Sequence, residues 1–226
     1  MNAPRKLVIA IDGPAGSGKS TIAARLAHKF GYTNLESGAM YRALALKAME
    51  QHVPLDDAEA LRALALGSVI HLEPRGEGNR VLLDGQDVSQ RIREADVTLA
   101  ASQVSVHPPV RQVMVARQRE LGANGGVVME GRDIGTAVFP NADVKIFLDA
   151  DPTVRAERRV LQNGSKSAEE ARRVQAEIAA RDQRDRTRAT SPLVPAPDAV
   201  IVDTTHKSID QVVDEIEGAV GKVVSG

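Results

Sequence analysis

The 226-residue chain is 42% hydrophobic, 26% charged and only 2% aromatic, and its 29 Lys and Arg against 30 Asp and Glu leave a net charge of −1. That balance lacks the strongly basic footprint of a nonspecific nucleic-acid binder, and two Tyr, three Phe and no Trp make a poor stacking platform for single strands. With no Cys, disulfide frameworks, cysteine zinc sites and thiol catalysis are excluded, and the length suits one α/β domain or a core with a single sizeable insertion.

Leu7 to Ile11 is a continuous apolar run, too short for a signal-peptide core or a membrane span but suited to a strand buried on both faces of a parallel sheet. A cytoplasmic protein without membrane contact is therefore expected. A glycine loop follows, and from Lys19 onward Ile22, Leu26 and Phe30 form one helical stripe that Gly31 can terminate. A second helix is expected over 40–52. Between about 55 and 96 the rhythm changes to a short helical stretch, DDAEALRALAL, and two strand-like runs, SVIHLEP and RVLLDG, joined by RGEGN. This reads as an inserted β-hairpin with room for a third short strand. A helix is expected from Val110 to Glu120, then two buried strands, GGVVME and VKIFLDA. Asp151 and Pro152 open a helix to about Gln162, Asn163 and Gly164 break it, and Ser167 with Glu170 is spaced as a capping box for a restart. AVIVDT is the last strand, and Ser208 with Gln211 caps a final amphipathic helix. Five buried strands alternating with helices imply a doubly wound parallel sheet.

Gly13-Pro14-Ala15-Gly16-Ser17-Gly18-Lys19-Ser20, followed by Thr21, has the P-loop spacing of Gly, four residues, Gly, Lys and Ser. Glycines let successive backbone N–H groups converge on phosphate oxygens, and the helix N-terminus adds its positive dipole end. Lys19 would bridge the β- and γ-phosphates of a nucleoside triphosphate, and the Ser20 hydroxyl is a candidate Mg²⁺ ligand. The spacing is not that of a dinucleotide fingerprint, and no Asn-Lys-x-Asp guanine motif is present. Asp149, ending an apolar strand, reads equally as a nucleotide-side carboxylate or as a strand-end residue.

Twenty-one Arg outnumber eight Lys, and nine of them lie between Arg155 and Arg188. Arg181, Arg184 and Arg188 fall on one helical face with Asp182 and Asp185 among them, which suits either a solvated, ion-paired helix or a polyanion site, since phosphoryl transfer rests on aligning and neutralising two polyanions. Ser37-Gly38-Ala39-Met40-Tyr41-Arg42, between two helical segments, and Glu130-Gly131-Arg132-Asp133-Ile134-Gly135-Thr136, at the carboxyl end of a buried strand, sit where ligands bind in such sheets. Each also reads as a turn with a local ion pair.

GPAGSGKST, LESGAMYRALAL, AASQVSVHPPVR, EGRDIGTAVFPNADVKIFLDA and RDQRDRTRATSPLVPAPDAVIVDT, in this order and over nearly the whole chain, resemble the bacterial cytidylate kinases. The resemblance implies a nucleoside-monophosphate-kinase core over 1–62 and 99–226, an inserted antiparallel CMP-binding domain over 63–98, and a helical lid over about 153–175. It implies transfer of the ATP γ-phosphoryl group, with Mg²⁺, to CMP or dCMP by direct in-line displacement in a monomer. It further implies that Ser102, Arg111 and Asp133 face the cytosine, Arg42, Arg132 and Arg188 the CMP phosphate, and Arg181 and Asp185 the pentose, with Ser37 beside that pocket. Lys19, Arg132 and Arg188 would spread the developing charge, and Arg158 and Arg159 look like lid arginines, Arg158 being taken as the catalytic one. Glu36 stands where many relatives carry Asp, which bears on the reach of that carboxylate. A P-loop kinase for UMP or a shikimate-type metabolite, and a slow ATP-hydrolysing binding protein, are the alternatives that an ADP-release assay with several acceptors separates.

Overall fold

In the computed structural model, which describes residues 6–75, 78–162 and 168–225, the first apolar run becomes strand β1, Val8–Asp12. Its odd residues, Leu7, Ile9 and Ile11, pack on one face with Ile22 and Leu26 of helix α1, Lys19–Phe30. Ala10 packs on the other face with Leu35, Met129 and Ile134. A strand covered on both sides has no use for polar alternation, which is why the run is apolar throughout.

Five parallel strands line up as β2-β6-β1-β7-β8, where β2 is Thr33–Glu36, β6 Val127–Gly131, β7 Val144–Asp149 and β8 Val200–Asp203. Helix α8, Ile209–Ser225, joins α1 on one face through Val212, Ile216 and Val220. Ser208 and Gln211 cap α8 reciprocally, Gln211 N–H donating to Ser208 Oγ at 3.2 Å and Ser208 N–H to Gln211 Oε1 at 2.9 Å. β8 departs from expectation: it is an edge strand, with Val200 41% and Ile201 62% exposed.

The opposite face carries a second and larger apolar centre built around α2, Ser37–Glu50. Against α2 pack α3, Ala58–Leu66, α4, Ala95–Val104, and α5, Pro108–Gly122. α2 begins three residues before the expected start, so Ser37 to Ala39 belong to its first turn, and α4 lies where no helix was expected. Val81 and Leu83 join the same core from a separate antiparallel sheet, ordered β3-β4-β5: Ile70–Arg75, Gly78–Leu83 and Gln86–Asp87. The expected boundary between 62 and 63 falls within α3. The antiparallel sheet docks on the edge of the parallel one through Asn79, whose Oδ1 accepts from Glu36 N–H at 2.9 Å and whose Nδ2 donates to Asn34 O at 2.8 Å. Helices α6, Pro152–Gln162, and α7, Ala168–Thr187, complete the chain's carboxyl side. The Ser167 end of the expected capping box lies outside the described residues.

Candidate active site

The loop from Gly13 to Ser20 joins β1 to α1 beneath α6. Gly16 has φ +77°, and a Cβ there would stand 2.7 Å from the Arg155 carbonyl oxygen, so only glycine lets α6 lie this close. Arg155 fastens the same contact: its Nη1 donates to Ala15 O at 3.0 Å and to Asp182 Oδ2 at 2.5 Å, while Ala15 N–H donates to Asp182 Oδ1 at 3.4 Å. Both arms of the α6–α7 pair thus grip one residue of the glycine loop. Inside it, Lys19 Nζ and Ser17 Oγ donate to Pro14 O at 2.7 and 3.1 Å. Burial, followed by the nearby Arg132, pushes the Lys19 ammonium down to about 7 against the pull of Glu130. Thr21 follows in the first turn of α1.

Ser20 Oγ donates to Glu130 Oε1 at 3.0 Å across the loop, and burial, helped by Glu36, raises the Glu130 carboxyl above its ordinary range. Ser37 Oγ donates to Glu130 O at 2.8 Å, crossing over Gly131, where a Cβ would fall 2.5 Å from that hydroxyl oxygen. Beyond it the chain forms a π-helical turn, Ile134–Val138. The Asp12 carboxylate holds that turn, Oδ1 accepting from Ile134 N–H and Oδ2 from Gly135 N–H, both at 2.7 Å. Burial raises Asp12 to about 6 although these two N–H groups oppose the shift. Asp12 was not singled out in the sequence; a carboxylate ending a buried apolar strand is the signal that marks it.

Asp133, just before the turn, accepts from Arg111 Nη2 through Oδ2 and faces Arg188 Nη2 at 3.4 Å through Oδ1. Arg111 is 2% exposed, and its guanidinium lies 5.6 Å from the Tyr41 ring centre. Ser102 on α4, also buried, accepts from Arg184 Nε at 3.1 Å. Arg188 directly follows α7, four residues after Arg184, so the end of α7 and the residue beyond it link Ser102 to Asp133. Arg132 Nε donates to Asp185 Oδ2 at 2.9 Å, and Arg181 Nε stands 4.0 Å from the same oxygen. Asp182, Asp185 and Arg188 are buried, so this face of α7 is not a solvated one. Burial, then Arg132, lowers Arg181 to about 10.

Glu36 takes two guanidinium groups, Arg42 Nη2 on Oε1 at 2.5 Å and Arg93 Nη2 on Oε2 at 3.4 Å. Burial works to raise its carboxyl, but Arg42 and Arg93 outweigh burial and hold it below the usual range. Arg93 belongs to a 3-10 turn, Arg91–Arg93, beside the antiparallel sheet, and nothing in the sequence drew attention to it. The two candidate lid arginines part company. Arg158 donates to Thr204 O at 2.6 Å and Thr204 Oγ1 at 3.0 Å, on the β8 side. Arg159 is lowered by burial and then by Arg42, with Arg93 and Glu36 also acting on it, so it is Arg159 that lies on the side of the arginine cluster. Among the described residues, five buried guanidinium nitrogens have no hydrogen-bond acceptor: Arg117 Nη1, on α5, and four in this cluster, Arg42 Nε, Arg111 Nε, Arg181 Nε and Arg188 Nη2. Buried cationic donors without acceptors are costly, and an anionic ligand with several oxygens relieves that cost.

Comparison with known proteins gives one consistent result. The family model described as "Cytidylate kinase" matches residues 9–222. A cytidylate kinase of Geobacillus sp. (strain WCH70) is 50% identical over 209 residues, covering 92% of this chain and 93% of that one. A cytidylate kinase of Lysinibacillus sphaericus (strain C3-41) is 47% identical over 213 residues, 94% of this chain and 95% of that one. Among solved structures, a gluconokinase from Sinorhizobium meliloti 1021 superposes with a TM-score of 0.50 at 16% identity, over 99% of this chain and 96% of that one, a likeness of fold alone.

Proposed function

Since this chain belongs to the cytidylate kinase family, we propose that its cleft takes CMP or dCMP among Ser102, Arg111, Asp133 and the α7 arginines, takes ATP on the glycine loop, and passes the γ-phosphoryl group directly between them. The protein is a P-loop phosphotransferase that phosphorylates CMP with ATP as donor. What is ours is the distribution of work among the residues.

The observation that carries it is Asp133, buried between Arg111 and Arg188 at the carboxyl end of the sheet. Its two oxygens face guanidinium groups, and a carboxylate at this place suits the exocyclic amino group of cytosine while opposing the carbonyl of uracil. A site organised around such a hydrogen bond rejects the wrong base strongly. Arg42, Arg132 and Arg188 take the monophosphate, Arg181 and Asp185 the pentose, and Ser37, already committed to the Glu130 carbonyl, shapes the wall beside them. Residues 63–98 form the flank that closes over the acceptor, with Arg93 brought to Glu36 as its forward point.

The attacking group is a phosphate oxygen and needs no general base. It forms a bond to the γ-phosphorus as the bond to the β–γ bridging oxygen breaks, releasing ADP. Lys19, Arg132 and Arg188 spread the charge of that transition state. Arg159, rather than Arg158, is the arginine that α6 brings toward the phosphates, while Arg158 holds the Thr204 strand end. The paired oxygen donors of Ser20 and Glu130 suit a hard cation, so Ser20 would hold a Mg²⁺ entering with the nucleotide, which would supply charge withdrawal from the phosphate oxygens. Helices α6 and α7 act as the lid that excludes water. One assay of ADP release with CMP, dCMP, UMP, AMP and shikimate tests the reading. Turnover fastest with CMP and dCMP is expected, and equal turnover with UMP would overturn the base-recognition argument.

A further inference from the structure

Three arginines, Arg181 and Arg184 on α7 and Arg188 just past its end, follow one another about a turn apart, and the reading above uses only Arg181 and Arg188. The third, Arg184, makes one directed contact among the described residues, its Nε donating to Ser102 Oγ at 3.1 Å. A guanidinium has five N–H donors and no acceptor, whereas a serine hydroxyl has one proton and two lone pairs. Arg184 therefore occupies an accepting position of Ser102 and turns the hydroxyl proton away from itself. Among the described residues no protein acceptor takes that proton, and Ser102 is 4% exposed, so the hydroxyl is left to donate.

The two pyrimidines differ where this matters. Cytosine carries an acceptor at its ring N3, and uracil carries an N–H there. We propose that Arg184 is a positioning residue for pyrimidine discrimination: by fixing Ser102 Oγ as an acceptor toward α7, it leaves the hydroxyl as a donor toward the base, which matches cytosine and opposes uracil. The inference rests on the reading that Ser102 faces the base. It gives the site a second polarity check beside Asp133, one that depends on a helix outside the base pocket. Because Arg188 directly follows α7 and its N–H bonds back to the Arg184 carbonyl at 3.0 Å, seating of this end of the helix on the acceptor phosphate and alignment of Ser102 occur together.

The test is kcat/KM for CMP and for UMP with the full chain, comparing the unaltered protein with Ser102→Ala, Arg184→Met, Arg184→Lys and the Ser102→Ala, Arg184→Met double variant. Arg184→Met lowers the CMP-over-UMP ratio roughly three- to tenfold, the worth of one hydrogen bond. Arg184→Lys, which can also only donate, restores part of it, and in the Ser102→Ala background Arg184→Met changes the ratio no further. A ratio that falls with Ser102→Ala but not with Arg184→Met overturns the inference and leaves the base-site reading standing. A ratio indifferent to Ser102→Ala overturns that reading and the inference with it. Equal losses for both nucleotides with Arg184→Met assign Arg184 to structure alone and overturn the inference. Should Arg184→Met fail to fold by circular dichroism, Arg184→Gln, whose amide can donate or accept, decides: a lowered ratio supports the inference and an unchanged ratio overturns it.

Discussion

At Lys19 the protein holds an ammonium group that burial and Arg132 have pushed down to about 7. Triphosphate oxygens restore its proton, so ATP binding at pH 8 is accompanied by uptake of close to one proton. Calorimetry in buffers of different ionisation enthalpy measures this, and Lys19→Met abolishes it together with most of the activity. Asp12 behaves in the opposite sense. Its folded value, about 6 against 3.8 in the unfolded chain, means that the folded state holds this proton more tightly, so Asp12 removes stability as pH rises from about 4 to 6. NMR titration of its carboxyl carbon shows a midpoint near 6, and Asp12→Asn flattens that part of the stability profile. Asp133→Ala leaves two buried guanidinium groups without their carboxylate. It costs roughly a hundredfold or more in kcat/KM for CMP and lowers the Tm, while ATP affinity measured by calorimetry changes little. Lys19 and Asp133 stand in motifs legible from sequence. Glu36 also stands in such a motif, and Asp12 is marked by ending a buried apolar strand, but Arg93 and Asn79 are not legible, because each acts on a partner far along the chain and single residues of that kind leave no periodic trace.

Elements were legible in proportion to how far their own apolar pattern decides their fate. β1, α1, β6 and β7 announce themselves because both faces of the sheet are covered. β2, with the sequence TNLE, does not, since it is short and its place is set by pairing with β6 and by Asn79. α4 was hidden in a stretch whose side chains read as a binding motif, and β8 looked buried in sequence because Val and Ile at a sheet edge have the same letters as Val and Ile in its centre. Asn79 carries an element-scale prediction. Asn79→Ala strips partners from Glu36 N–H and Asn34 O, at a cost of about 2 kcal/mol, lowering the Tm by about 4–8 °C. Amide exchange quickens in β2 and β4 while β1 and β7 keep their protection.

For the whole molecule, a net charge of −1 conceals an uneven distribution, with arginines gathered in the cleft and the carboxylates of Glu36, Asp133 and Asp185 balancing them. Helices α6 and α7 are tied to the glycine loop through Arg155 and Asp182, so any movement of them reaches Ala15 directly. With CMP and a non-hydrolysable ATP analogue together, hydrogen exchange slows in α6 and α7 more than the sum of the effects of either nucleotide alone; additive protection would argue against a shared closing step. The edge strand β8 has a different consequence. Its outer side bears Val200 and Ile201 in water, but it is four residues long, closes at Asp203 and follows Asp198 by only one residue. Asp198 is bound to Lys145 Nζ at 2.9 Å, so the edge is blunted by its shortness and by Asp203, which leave a strand from another molecule little ladder to extend. Resistance to aggregation in a crowded solution is therefore guarded here by how little edge the fold exposes, and lengthening that edge would be felt first in the solubility of the protein.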